Sequence, residues 1–425
     1  MSDLAAPAPA AISTPRRRWE LDALRGLMLV LMTSSHLPTW FAMPASEPFG
    51  FVSAAEGFVF LSAYMAGMVY TQRALRQGVP AMRRAFLRRA MVLYACQAAS
   101  LLFLFTVIAA LGFTFHQSAA PRLMWFYLQE PVTALWASLL LIYNPPLLDI
   151  LPVYVIFMLL SPWVLGYALQ RGWTLMLGLS VAMWIGAQFG MARALYDLLT
   201  AATGLSVPFS ETGAFETYAW QLLWMAGLWL GARHARTPAA ERRPPPPGLT
   251  AAAFGIAAVL LVWRHVTGHQ PFAGDNPLNW LSDKWLLGPL RLLDFAALVI
   301  VLMYVGRRLP ARLPRPRFLR WLQTLGSASL PVFCAHLVLV LLALAVLGDS
   351  SPDRPLWLDP VMFIGCMALL HGVARIALSV KSGPGGGKPA SCRTPPRQGG
   401  SSQASASQRV GLRPAARHSG MLDPL

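Results

Sequence analysis

The sequence predicts an all-α protein that crosses a membrane about ten times, with both termini in the cytoplasm. Of its 425 residues, 56% are hydrophobic and only 12% are charged, whereas about a quarter of the residues of a soluble domain are charged. Apolar runs close to the ~20 residues that cross a bilayer recur from Leu21 almost to Val380. Connections that are rich in arginine alternate with connections that are poor in arginine, which is the positive-inside pattern.

Each predicted span is an apolar run between two polar connections. The approximate spans are 20–37, 51–70, 90–114, 149–169, 173–192, 215–233, 248–265, 288–306, 328–347 and 358–380. The arginine-rich connections then all lie on the cytoplasmic side. The segment 122–143 is also apolar, but Gln129, Glu130 and Pro131 interrupt it, so we expect an interfacial or re-entrant element there.

The sequence divides into three parts. Residues 1–18 are predicted to form a cytoplasmic N-terminal tail, 19–380 the transmembrane domain, and 381–425 a basic cytoplasmic tail. From Ser382 onward the chain has almost no apolar residues, which predicts disorder. No internal repeat with a fixed period is present, so a transporter built from duplicated halves gains no support.

Composition also excludes several classes of function. The net charge is +17, but the basic residues lie mainly in short connections between apolar runs, so no domain can present a basic face to nucleic acid. Three of the four cysteines lie in apolar runs, and no Cys-x-x-Cys pair occurs. We therefore expect neither a disulfide framework nor a metal site.

The first predicted span carries three polar residues of interest. Arg25 and His36 are eleven positions apart, close to three helical turns, so they share one face and are separated by roughly 16 Å. Asp22 lies one turn before Arg25 and is a candidate anionic partner. Two interpretations stay open: a structural ion pair, or contact between Arg25 and an anionic substrate.

A histidine and a carboxylate are predicted at the outer ends of the first two spans. Because His36 lies near the outer end of the first span and Glu56 near the outer end of the second, the two side chains are expected to face each other. A carboxylate that fixes the tautomer of His36 would make the imidazole a general base for a substrate hydroxyl. The alternatives are a hydrogen bond from His36 to Ser34 or the backbone, and a structurally paired Glu56.

Further candidates lie in the cytoplasmic connection 71–89 and in the ninth span. The connection places six arginines just inside the membrane. Arginine clusters bind phosphates through paired N–H donors, so Arg84 and Arg88 are candidate donor-binding residues; positive-inside anchoring is the alternative. His336 is predicted within the ninth span, as a site residue or as a packed core residue.

Several blocks of sequence resemble the OpgC proteins. They occur in the same order at Arg18 to Gly26, His36, Phe51 to Tyr64, Leu148 to Tyr154, Tyr218 to Gln221, Leu287 to Arg291 and Leu325 to Phe333. In addition, Arg25-x10-His36 and the segment Ser327 to His336 are similar to two signatures of the wider acyltransferase family 3. The resemblance runs from about Arg18 to about Ala377.

The resemblance implies a multi-pass inner-membrane protein associated with succinylation of osmoregulated periplasmic glucans. By resemblance, His36 is the acyl-transfer residue, Arg25 a partner in the same cavity, and the cytoplasmic arginines the donor-binding side. No bound cofactor is implied, and acyl-CoA, in particular succinyl-CoA, is the co-substrate. The implied partners are the lipid bilayer, the glucan acceptor and the glucan-synthesis machinery.

The sequence is therefore interpreted as a membrane O-acyltransferase that moves an acyl group, in particular succinyl, onto a hydroxyl of a periplasmic glucan. His36 is the expected base, Glu56 its orienting carboxylate, and Arg25 an anion-stabilising residue. The alternative is a proton-coupled transporter or flippase, in which buried histidine and carboxylates form the proton path. A non-catalytic scaffold for glucan synthesis is a third possibility.

Overall fold

The computed structural model describes residues 19–117, 119–238, 241–308, 316–351 and 354–382. Within these ranges the chain forms helices and no strand, which confirms the all-α prediction. The helices that correspond to the ten predicted spans are α1 (Trp19–His36), α3 (Ala54–Gln77), α4 (Val79–Phe103) with its continuation α5 (Ala109–Thr114), α9 (Ile150–Arg171), α10 (Thr174–Gln188), α12 (Thr217–Arg236), α13 (Pro247–Thr267), α14 (Pro289–Arg308), α16 (Ser329–Leu347) and α17 (Leu358–Ser382). The predicted tail 1–18, and the predicted tail 381–425 beyond Ser382, lie outside the described residues.

Six helical segments are long and apolar enough to cross a membrane, and a seventh candidate is a bent pair of helices. They comprise 79–114, 150–171, 247–267, 289–308, 329–347 and 358–381, together with the pair α10 and α11 (Met191–Thr203). The chain is therefore a multi-pass helical membrane protein. α1, α3 and α12 fall outside this apolar set; α1 carries Arg25 and His36, and α3 carries Glu56. The full count of ten spans and the cytoplasmic termini stay predictions.

Helices replace two segments that the sequence was expected to leave as connections. In the predicted cytoplasmic connection 71–89, α3 continues to Gln77 and α4 begins at Val79, so the turn between them is the single residue Gly78, whose φ is +83°. The segment 193–214, between the fifth and sixth predicted spans, begins within α11, which is bent by 80° from α10. Glycine adopts a positive φ readily because it has no Cβ. This explains how Gly78 alone can form the turn between α3 and α4.

The segment 122–143 forms three short helices: α6 (Ala119–Leu123), α7 (Trp125–Gln129) and α8 (Pro131–Leu139). The longest has nine residues and is about 14 Å long at 1.5 Å per residue, too short to cross a bilayer. The prediction that this segment contains no full span is therefore confirmed. The other short helices are α2 (Ala42–Ser46) and α15 (Arg317–Ser327).

Glycines allow the helices that carry the site to approach backbone to backbone. α15 packs on α1, where a Cβ at Gly26 would lie 2.0 Å from the carbonyl oxygen of Leu322 and a Cβ at Gly326 would lie 1.8 Å from that of Asp22. α3 packs on α12 in the same way, since a Cβ at Gly231 would meet the carbonyl oxygen of Tyr64 at 2.0 Å. Small residues are the usual contact between membrane helices because lipid supplies no hydrophobic force between them. These contacts hold α1 and α3 in place.

Candidate active site

The face of α1 that carries Arg25 and His36 lies against α16. The Arg25 guanidinium donates a hydrogen bond to the Ser329 hydroxyl, in the first turn of α16. Two turns further along α16, the His336 imidazole lies 3.2 Å from the His36 Nδ1, measured to its Nε2. The predicted shared face is thus confirmed, because both residues contact one neighbouring helix.

The hydrogen bonds of the two histidines define their tautomers. The His336 Nδ1 lies 2.7 Å from the carbonyl oxygen of Phe333; a carbonyl only accepts, so this nitrogen carries the proton. In a neutral imidazole the other nitrogen is then the acceptor, and the His36 Nδ1 donates to the His336 Nε2. The His36 Nε2 is left with a free electron pair. The two rings stack with centroids 5.5 Å apart, and His336 is fully buried.

Glu56 lies in a different environment from the one predicted. One carboxylate oxygen accepts hydrogen bonds from the backbone N–H and the hydroxyl of Ser53, which forms a capping box at the start of α3. The other oxygen accepts from the Arg291 guanidinium at 2.7 Å. The expected pairing with His36 is therefore wrong: His336 occupies that position, and both oxygens of Glu56 are used elsewhere.

A cluster of buried charges surrounds Glu56. Arg291, from α14, also donates to Glu47 and to the carbonyl oxygen of Ser282. Glu47 in turn accepts from Arg264 at 2.9 Å and pairs with His269 at 2.8 Å. Burial alone would raise the pKa of the Glu47 carboxyl, but the neighbouring Arg291 guanidinium and the hydrogen bonds from the other two partners hold that pKa below its usual value. We call this set the outer charge cluster; it fastens the connection before α3 to α13 and α14.

Asp22 is buried and accepts a hydrogen bond from the Ser327 hydroxyl at 3.3 Å. Arg84 and Arg88 are exposed on α4. Arg89 is half-buried instead, and it lines a cavity that Arg25 also lines. Of the six arginines at 73–89, the structure brings only Arg89 to the same cavity as Arg25.

The cavity has a volume of about 200 Å³ and lies between α1, α3, α4, α9, α12 and α16. Its polar lining residues are Arg25, Ser62, Tyr70, Arg89, Tyr154 and Ser329. Phe58 and Phe333 also line it, with their rings stacked 5.7 Å apart. The Phe333 ring packs 4.9 Å from that of His336. A single aromatic layer therefore separates the arginine-lined cavity from the histidine pair.

Two signals in the sequence point to what the structure shows for Arg89 and Glu56. Arg89 follows Phe86 by three positions and precedes Leu93 by four, so it lies on the buried face of α4. Ser53-x-x-Glu56 is the capping-box pattern, which predicts a structural role for Glu56. Ser329 and Tyr154 carry no comparable local signal.

The family model of the OpgC protein matches residues 17–382. The chain belongs to the OpgC family. The match begins just before α1 and ends at the last residue of α17, so this OpgC family member contains the complete site within the matched region. No match was found among curated proteins or among solved structures.

Proposed function

We propose that this OpgC family protein is an inner-membrane O-acyltransferase that transfers an acyl group, in particular succinyl, from a cytoplasmic acyl-CoA to a hydroxyl of a periplasmic glucan. The observation that carries the proposal is the hydrogen-bonded chain from His36 through His336 to the Phe333 carbonyl oxygen. It leaves the His36 Nε2 as a base, because the ring cannot turn without breaking this chain. The ten spans with cytoplasmic termini belong to the same proposal, since they put His36 near the periplasmic face.

In the proposed reaction the His36 Nε2 takes the proton of the acceptor hydroxyl while the hydroxyl oxygen attacks the thioester carbonyl carbon. The carbon–sulfur bond then breaks, and the thiolate of coenzyme A takes the proton back from the imidazolium. The glucan gains an ester, coenzyme A leaves as the thiol, and no proton is gained or lost by the enzyme. His336 is a positioning residue in this scheme, because it acts only through His36.

The arginines would bind the donor. Arg25 lines the cavity that the Phe58–Phe333 layer separates from the histidine pair, where its guanidinium would stabilise the negative charge of the donor. Arg84 and Arg88 are exposed on α4, as contacts with the phosphates of coenzyme A require. Asp22, bound to Ser327 one turn before Arg25, supports the start of α1.

The decisive experiment is mass spectrometry of periplasmic glucans from cells that lack this protein and are complemented with the wild type or with His36→Ala at equal membrane abundance. We expect the wild type to restore an anionic acyl substituent and His36→Ala to lower transfer by ~10²- to 10⁴-fold, the usual contribution of a general base. His265→Ala is the matched control, because His265 is exposed and bonds only to its own helix.

Each alternative outcome overturns a stated part of the proposal. If His36→Ala restores the substituent as well as the wild type does, His36 is structural and the mechanism is wrong. If the wild type leaves the glucans unchanged, the assignment of a periplasmic glucan as the acceptor is wrong. Uptake of a glycan or of protons without acyl transfer would favour the transporter.

A further inference from the structure

The cavity beside the histidine pair has an unusual charge balance. Of the described residues that line it, two carry a guanidinium, Arg25 and Arg89, and none carries a carboxylate. The remaining polar lining consists of the hydroxyls of Ser62, Tyr70, Tyr154 and Ser329. A cavity inside a membrane bundle that holds cations and hydroxyls attracts an anion, because hydrophobic walls screen charge much less than water does.

Arg89 is the cation that lacks a counter-ion. Within the described ranges its guanidinium forms no ion pair or hydrogen bond, and its neighbours are the phenol of Tyr70 and the thiol of Cys334. It lies ten positions after the start of α4, which puts it about 15 Å along the helix axis. The half-buried guanidinium of Arg89 is therefore available to a ligand of opposite charge in the cavity.

The size of the cavity limits which part of a donor can occupy it. Its volume of about 200 Å³ is below the ~300–1,000 Å³ of pockets that enclose drug-sized ligands. A nucleotide is of that larger class, whereas a short acyl chain with a terminal carboxylate is much smaller. Phosphates of coenzyme A are therefore expected to remain outside, at the exposed arginines, and the acyl group to enter.

We propose that Arg89 is a specificity-determining residue that, with Arg25, binds the terminal carboxylate of a dicarboxylic acyl donor. This inference rests on the proposed acyl transfer. The planar guanidinium offers two parallel N–H donors that fit a carboxylate. The hydroxyls of Tyr70 and Ser329 are additional donors in the same cavity. A neutral acyl chain of equal length brings Arg89 no counter-ion, so selection acts against the neutral chain as well as in favour of the dicarboxylic chain.

The test compares succinyl-CoA with butyryl-CoA, two donors that have the same nucleotide and chain length but differ in the terminal carboxylate. For the purified wild type we expect kcat/KM to favour succinyl-CoA. Arg89→Gln is expected to lower kcat/KM for succinyl-CoA by ~10- to 100-fold, the range for one charge-assisted hydrogen bond, and to leave that for butyryl-CoA within about threefold. Arg89→Lys keeps the charge without the paired donors. Its kcat/KM for succinyl-CoA is expected to lie between that of the wild type and that of Arg89→Gln.

Arg171→Gln is the matched control, because Arg171 is an exposed arginine in the last turn of α9 and lies outside the cavity. We expect it to change neither donor's kcat/KM. An equal loss for both donors with Arg89→Gln would assign Arg89 to the phosphates or to folding and overturn the inference. No loss for either donor would overturn it as well.

Binding measured without acceptor separates this inference from the proposed function. We call the proposed carboxylate-binding position at Arg25 and Arg89 the anion site. The dissociation constants of succinyl-CoA and butyryl-CoA, determined for the wild type and Arg89→Gln, report on this anion site whether or not transfer occurs. If the wild type discriminates between the donors in binding but transfers neither, the acyltransferase proposal fails and the anion site stands. If it transfers both without discrimination, the anion site fails and the acyltransferase proposal stands.

Discussion

The outer charge cluster and the region between His36 and Arg89 are both built from buried or half-buried polar groups, but they differ in how completely these groups are paired. In the outer charge cluster, Glu56 uses both carboxylate oxygens, and Glu47 is matched by three basic side chains. In the site, the His36 Nε2 and the Arg89 guanidinium keep hydrogen-bonding capacity within the described residues. Burial alone therefore does not distinguish the two regions, whereas unused hydrogen-bonding capacity does.

The largest effect that tests this comparison is expected for Arg291→Met. The variant leaves Glu47 and Glu56 buried with a missing partner, and breaking a buried ion pair from one side costs about 3–5 kcal/mol. We expect a marked drop in the unfolding temperature of the detergent-solubilised protein. Arg307→Met, on the exposed end of the same helix, is the control and should change it little.

Two results would contradict a structural role for the outer charge cluster. The first is an Arg291→Met protein as stable as the wild type. The second concerns Glu56→Gln, the isosteric change on the other side of the ion pair: a loss of acyl transfer per folded molecule without a loss of stability would return Glu56 to the catalytic role that the sequence suggested.

A smaller effect is expected at His336. His336→Ala removes the acceptor of the His36 Nδ1 and frees the ring to turn, so we expect transfer to fall by ~10- to 100-fold, or about 1.4–2.7 kcal/mol. His336→Gln offers an amide oxygen in its place and should recover part of the rate. The measurement is the initial rate of acyl transfer as a function of pH.

A structural role of His336 alone would lower the amount of folded protein and leave the rate per folded molecule unchanged. Equal rates for His336→Ala and His336→Gln would also contradict the positioning role, since only glutamine keeps a hydrogen-bond acceptor.

The smallest expected effect is the pH dependence that Glu47 adds to stability. Its pKa is lower in the folded protein than the usual 4.5, so its stabilising contribution is complete above that value and is lost as pH falls through the folded pKa. The difference in unfolding temperature between wild type and Glu47→Gln should therefore be largest near pH 7 and shrink below pH 4.5. A difference that grows on acidification would show that the carboxylate is not stabilised by its basic neighbours.

The sequence predicted most of the helices because apolar runs and helical periodicity are local properties. Each predicted span corresponds to a helix, and the shared face of Arg25 and His36 follows from their spacing alone. The bend between α10 and α11 was missed because an apolar run does not show where a helix changes direction; α11 nevertheless has a pronounced amphipathic pattern that could have been recognised.

The partners of the site residues could not be predicted in the same way. His36 and His336 are 300 positions apart, and Glu56 and Arg291 are 235 apart. Which of two nearby polar groups His36 contacts depends on how α1, α3, α14 and α16 pack. No periodicity within one helix contains that information.

The sequence by itself determined the helical class, the positions of the long helices and the presence of Arg25 and His36 on one face, because these depend on neighbouring residues and the solvent they meet. Only the tertiary structure decided that His336 contacts His36, that Arg291 pairs with Glu56, and that Arg89 shares a cavity with Arg25. The physical reason is that a buried polar group takes whichever partner packing brings within hydrogen-bonding distance. Packing is a property of the whole bundle.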